Sequence, residues 1–108
     1  MKEYMNELKS MEQFEGILKK PSTSIFVFCA TWCPDCRYIE PFMKELVDKY
    51  SDYDFYYVNR DDFMELAQRW LVMGVPSFIA IRNGKEIKRF VSKFRKTKKE
   101  IDEFLGDL

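Results

Sequence analysis

The chain contains no histidine, and its three cysteines all fall between positions 29 and 36. The first absence removes the commonest nitrogen ligand from any zinc site. The second excludes a structural disulfide framework, because cysteines bunched this closely cannot staple distant elements. Long apolar runs are missing too: the longest, residues 25–30, is far short of the roughly 20 residues needed to cross a bilayer. The first residues, Met1-Lys2-Glu3-Tyr4-Met5-Asn6-Glu7, alternate charged with apolar side chains and carry no signal-peptide core. A cytoplasmic, reducing location without a membrane partner is therefore expected. There, neighbouring cysteines read as metal ligands or redox catalysts. Net charge is also absent, with 18 Lys and Arg against 18 Asp and Glu.

What is present describes a packed globule. At 108 residues, with 46% hydrophobic and 17% aromatic side chains, residues 1–108 read as one domain, expected to be a monomer, able to build a core without covalent staples. No repeats, linkers or low-complexity segments interrupt it. The charges are unevenly spread: residues 1–84 hold 10 basic and 13 acidic side chains, and residues 85–108 hold 8 and 5. All eight late cations lie within residues 85–99. A solvated edge strand and its following loop explain them. Nothing else in the chain is basic, so no nucleic-acid partner is expected.

Along the chain, residues 5–8 suit a short edge strand. Ser10-Met11-Glu12-Gln13 is a capping box opening a helix with Met11, Phe14 and Leu18 inside. Residues 24–30 are apolar at consecutive positions, as a central strand covered on both faces should be. Ile39, Phe42, Met43, Leu46, Val47 and Tyr50 then recur at helical spacing, with Pro41 predicting a kink. Residues 55–58 form a strand. Asp61 or Asp62 is expected to cap a helix bearing Phe63, Leu66, Ala67, Trp70 and Leu71, ended by Gly74. Residues 77–81 form a strand, and Asn83-Gly84 is a hairpin turn into an alternating strand at 85–91. Thr97-Lys98-Lys99-Glu100 is a second capping box, opening a helix with Ile101, Phe104, Leu105 and Leu108 inside. The order β-α-β-α-β-α-β-β-α gives an α/β fold: a mixed central sheet with helices on both faces, helix-linked strands parallel and the hairpin antiparallel.

The chemistry concentrates in Trp32-Cys33-Pro34-Asp35-Cys36, between the central strand and the longest helix. Cys33 then sits at a helix N-terminus, where unsatisfied N–H groups and the helix dipole favour a thiolate. Pro34 fits the first helical position. Cys36 lies one turn deeper, and shielding should keep its pKa higher, as suits a resolving thiol. Cys33 would attack a disulfide and Cys36 would displace the reduced product. Zinc would need two further ligands, which Cys29 and Asp35 supply poorly. The spacing of Cys29, Cys33 and Cys36 matches that of radical enzymes holding an iron–sulfur cluster, but one cysteine falls mid-strand and two on a helix. No metal or cofactor is expected, and Cys29 reads as a small buried hydrophobe.

The whole chain resembles the thioredoxin family. Phe28, Ala30, Trp32, Cys33, Cys36, Pro41, Gly74, Val75-Pro76 and Asn83-Gly84 carry the resemblance in the right order. It implies a thioredoxin fold and a protein-disulfide reductase. The Val75–Pro76 bond would be cis and packed against the Cys33–Cys36 pair, keeping metals away. The Val75 backbone would pair with an extended substrate, and Trp32 would line the same groove beside Pro34 and Asp35. Disulfide-containing proteins or small thiol substrates would be the clients. Thioredoxin reductase or a low-molecular-weight thiol would donate electrons.

Four positions depart from the family pattern. Val27 stands where a buried acid usually assists the second cysteine, and Tyr57 replaces the lysine that often accompanies it. Asp35 replaces a proline, placing a negative charge near Cys33. Phe94 replaces a glycine that keeps the groove open. Pro34 and Asp35 together also occur in relatives of narrower substrate choice, which suggests a specialised reductase for small or acidic disulfides. The competing class is a thioredoxin-fold binding module docking through residues 85–99.

Overall fold

The chain runs β1 (Asn6–Glu7), α1 (Met11–Leu18), β2 (Thr23–Cys29), α2 (Pro34–Lys49), β3 (Asp54–Asn59), α3 (Met64–Arg69), β4 (Ser77–Arg82), β5 (Lys85–Phe90) and α4 (Lys98–Gly106). This computed structural model describes residues 1–108. All of β2 is buried, as its unbroken apolar run requires, and it forms the centre of a sheet ordered β1-β3-β2-β4-β5. β1, β3 and β2 are parallel, while β4 runs antiparallel to β2 and β5 antiparallel to β4.

The expectation that all helix-linked strands run parallel fails between β3 and β4. Phe28 pairs with Val58 near the end of β3 and with Ser77 at the start of β4, so both meet at the same end of the sheet. Helix α3 has only six residues, roughly 9 Å of rise, and cannot carry the chain back along strands of about 20 Å. Neither Asp61 nor Asp62 caps it. Phe63 holds the cap position, and the Asn59 side chain accepts from the Asp61 and Asp62 N–H groups. Gly74 does not end it either. Leu71 takes the left-handed position (φ 55°), with Val72 N–H donating to Ala67 and Leu71 N–H to Gln68.

The other ends follow their sequence signals. Thr97 and Glu100 complete a reciprocal capping box. Ser10 accepts from Gln13 N–H, but the Gln13 side chain reaches Lys9 N–H, one residue before the cap. Helix α2 continues through Pro41. Asn83 and Gly84, at φ 54° and 75°, make the hairpin turn. In β5, Ile87 falls between the pairs Ala80–Lys88 and Ile81–Glu86, so a bulge interrupts the alternation.

Two cores result. Ile25, Val27 and Cys29 of β2 pack under α2 and α4 with Ile39, Met43, Leu46, Ile101 and Leu105. Phe26 and Phe28 pack under α1 and α3 with Phe14, Ile17 and Leu66.

Candidate active site

The turn from β2 into α2 presents Cys33 as the helix cap, with extended backbone (φ −85°, ψ 118°) and no side-chain capping bond. Pro34 occupies the first helical position, and the Cys33 carbonyl accepts from Cys36 and Arg37 N–H at 3.2 Å. The Cys33 thiol points across to the Val75 carbonyl at 3.6 Å. The Val75–Pro76 bond is cis. Trp32, Cys33, Pro34, Asp35 and Cys36 share one turn, and Val75-Pro76 joins them through this thiol contact. All three cysteines are free thiols.

The thiol electrostatics differ from the sequence expectation. Burial pushes Cys33 up, opposed by the Cys36 and Asp35 N–H groups at the helix start. Cys36 is lowered, first by its hydrogen bond with Cys29 and then by the Ala30 N–H. Cys29 is held well above the ordinary cysteine value by the same bond and by burial. Burial thus works against the Cys33 thiolate, and the contact with Cys29 works for the Cys36 thiolate. What sets Cys33 apart is position: its sulfur lies on the groove side, against Val75, whereas Cys36 faces inward to Cys29. Where the family carries a buried acid, Val27 is fully buried and apolar, and Cys29 supplies the group that favours the Cys36 thiolate.

Several functional neighbours escape a linear reading. Asp35 is paired with Arg95 at 2.8 Å, and the same guanidinium lies 4.5 Å from the Tyr38 ring centroid. The negative charge beside Cys33 is thus matched by a cation sixty residues away in sequence. Trp32 donates to Asp61 at 2.7 Å and has Arg60 over its ring. Lys96, expected in the solvated basic stretch, is only 1% exposed. Its ammonium donates to the Ser92 carbonyl and hydroxyl and to the Phe94 carbonyl, at 3.0–3.2 Å. Desolvation holds it below the ordinary lysine value. The loop wraps around this buried cation, a burial that composition gives no sign of.

Gly74 serves this same junction. A Cβ there would lie 2.5 Å from the Ser92 carbonyl, so its hydrogen lets the loop before Pro76 touch the loop carrying Phe94. Trp32, next to Cys33 in the chain, is 54% exposed, and Met73 and Phe94, flanking the contact of Gly74 with the Ser92–Lys93 loop, are 84% and 71% exposed. None of the five cavities in the molecule includes Cys33, Trp32, Val75 or Pro76. Cys33 itself is 6% exposed, beside the exposed Trp32.

Residues 6–107 match the family model described as Thioredoxin, and the chain belongs to the thioredoxin family. The chain is 37% identical to Thioredoxin H2-2 of Oryza sativa over 74% of its own length and 60% of the rice protein, less than two thirds of that relative. It is 32% identical to Thioredoxin of Mycoplasma genitalium, over 87% of this chain and 92% of the relative. The crystal structure of thioredoxin from Trypanosoma brucei brucei superposes with a TM-score of 0.85 at 25% identity, covering 95% of this chain and 88% of that one.

Proposed function

We propose that the chain is a thiol–disulfide oxidoreductase acting as a protein-disulfide reductase, with residues 1–108 working as one monomeric domain. The observation that carries this reading is the Cys33 sulfur, free of any capping duty and 3.6 Å from the carbonyl of Val75, which precedes the cis Pro76. The Cys33 thiolate attacks one sulfur of a client disulfide, and the other client sulfur leaves and takes a proton. Cys36, favoured as a thiolate by Cys29, then attacks the Cys33 sulfur and expels the second client thiol. The client gains two electrons, and the protein is left with a Cys33–Cys36 disulfide. Thioredoxin reductase or a low-molecular-weight thiol returns the electrons in a reducing cytoplasm. No nucleic acid or membrane takes part.

The client is a protein segment. An open surface bearing Trp32, Met73 and Phe94 fits an extended chain better than an enclosed small molecule. Its backbone lies along Val75, with Trp32, Pro34, Asp35 and Pro76 lining the groove. Phe94 stands exposed, and the exposed Lys93 beside it favours acidic flanks. The test is NADPH-driven or dithiothreitol-driven reduction of peptide disulfides. We expect turnover by the wild type, its loss in Cys33→Ser, and about tenfold better kcat/KM for acidic than basic flanks at low salt. Turnover retained by Cys33→Ser contradicts the reading. Full biological complementation by a Cys33→Ser/Cys36→Ser protein points instead to a binding module.

A further inference from the structure

Cys29 forms no bond in the two-thiol cycle, yet it lies in the same buried cluster as Cys33 and Cys36. Alternation along β2 turns Cys29 to the same face as Ile25 and Val27, directly under the first turn of α2. Cys29 and Cys36 belong to one buried cluster and line one cavity together. Behind the two thiols is a cavity of about 220 Å³, lined by both and by Met1, Arg37, Glu40 and Tyr57. This cavity lies away from the client groove and gives the Cys36 side chain room to turn from Cys33 toward Cys29.

We propose that Cys29 is a third redox thiol, which exchanges with the Cys33–Cys36 disulfide to form a Cys29–Cys36 bridge. The inference rests on the reductase reading, whose turnover supplies the starting disulfide. In the step, the Cys29 sulfur bonds to the Cys36 sulfur and the Cys33–Cys36 bond breaks. The proton leaving Cys29 passes to Cys33, and no outside oxidant or reductant is consumed. The product presents Cys33 as a free thiol in the groove while its resolving partner is occupied. Such a molecule joins a client through Cys33 and cannot release it until a reductant opens the inner bridge. The fold thereby holds two modes, a turnover reductase and a monothiol that retains its client.

Exchange is slow at neutral pH, because burial and the contact with Cys36 keep Cys29 protonated. The other groups facing the thiols are Asp35 and Glu40 of α2, Arg37 of α2, Tyr57 of β3, Lys96 before α4 and the Met1 ammonium.

A disulfide requires Cα atoms within about 7 Å, and Cys33→Ser tests that requirement directly, since it leaves only Cys29 and Cys36. With one equivalent of diamide, the Cys33→Ser monomer should lose two mass units and both free thiols. In the wild type, the same oxidation followed by acid quench, N-ethylmaleimide labelling and fragment mass spectrometry locates the remaining thiol. The label should appear on Cys29 at first and then on Cys33, with the rate rising about tenfold per pH unit while Cys29 stays protonated. Two surviving thiols in Cys33→Ser, links between molecules only, or label on Cys29 alone at every time and pH overturns the proposal. Client reduction measured in parallel separates the two readings. A bridge without turnover overturns the reductase, and turnover without a bridge overturns the third thiol.

Discussion

On one face of the sheet Phe14, Phe26, Tyr56 and Trp70 pack as rings, with centroids 4.9–5.7 Å apart beneath α1 and α3. On the other, beneath α2 and α4, the same strands present Val27, Cys29, Tyr57 and Ala80 to a cluster containing all three thiols. A single strand, β2, serves both faces because its side chains alternate. The aromatic face holds large, inert surface. The thiol face has ring packing of its own, through Phe78, Phe90 and Phe104, and adds the three thiols and the groups whose protonation matters. Even positions of β2 therefore bear on stability alone, whereas the odd positions, equally buried, bear on both stability and chemistry.

The largest test of this division is Phe26→Ala. Phe26 is fully buried among three rings, so truncation should cost about 3–5 kcal/mol in urea unfolding. Turnover per folded molecule should be unchanged. A parallel loss of both would erase the distinction between the faces.

Alkaline pH should act through the thiol face. Burial, followed by the nearby Cys29 and Cys36, pushes Tyr57 up to about 12, and burial with Glu40 does the same to Tyr4. Between pH 10 and 12 the unfolded chain releases protons that the folded chain keeps, so stability falls as pH rises through that window and is full below it. Tyr57→Phe should flatten the fall by at most about 2 kcal/mol, read from urea midpoints at pH 9 and 11.5. An unchanged slope would remove Tyr57 from the titrating set.

Lys96→Met should have the smallest effect on stability, about 1–2 kcal/mol of destabilisation. Unpairing the Ser92 and Phe94 acceptors outweighs relief of the buried charge. Its clearer signature should be kinetic: the loop holding Phe94 and Arg95 loosens, KM for peptide disulfides rises several-fold, and kcat holds. A fall in kcat with constant KM would instead place Lys96 in the electrostatics of the thiols.

Much of this was legible along the chain because it depends on local order. The apolar run of β2, the stripe on α2, the Asn83-Gly84 turn and the Cys33–Cys36 spacing each declare themselves within a few residues. What sequence hid depends on the third dimension. The direction of β4 follows from a helix too short to cross the sheet. Gly74 reads as a helix end but serves a close approach of two loops. Lys96 reads as solvent-facing but is enclosed by carbonyls. Cys29 carried an overlooked signal: with Val27 it occupies the β2 face that α2 covers, so alternation alone puts it beneath Cys36.

The most direct test of the division of labour between Cys33 and Cys36 is a paired trapping experiment. Cys36→Ser and Cys33→Ser proteins are exposed to a disulfide-bonded client, denatured, and run without reductant. Cys36→Ser should hold the client in a mixed disulfide that dithiothreitol releases, and Cys33→Ser should hold none. Equal trapping by both, or trapping by Cys33→Ser alone, contradicts the account.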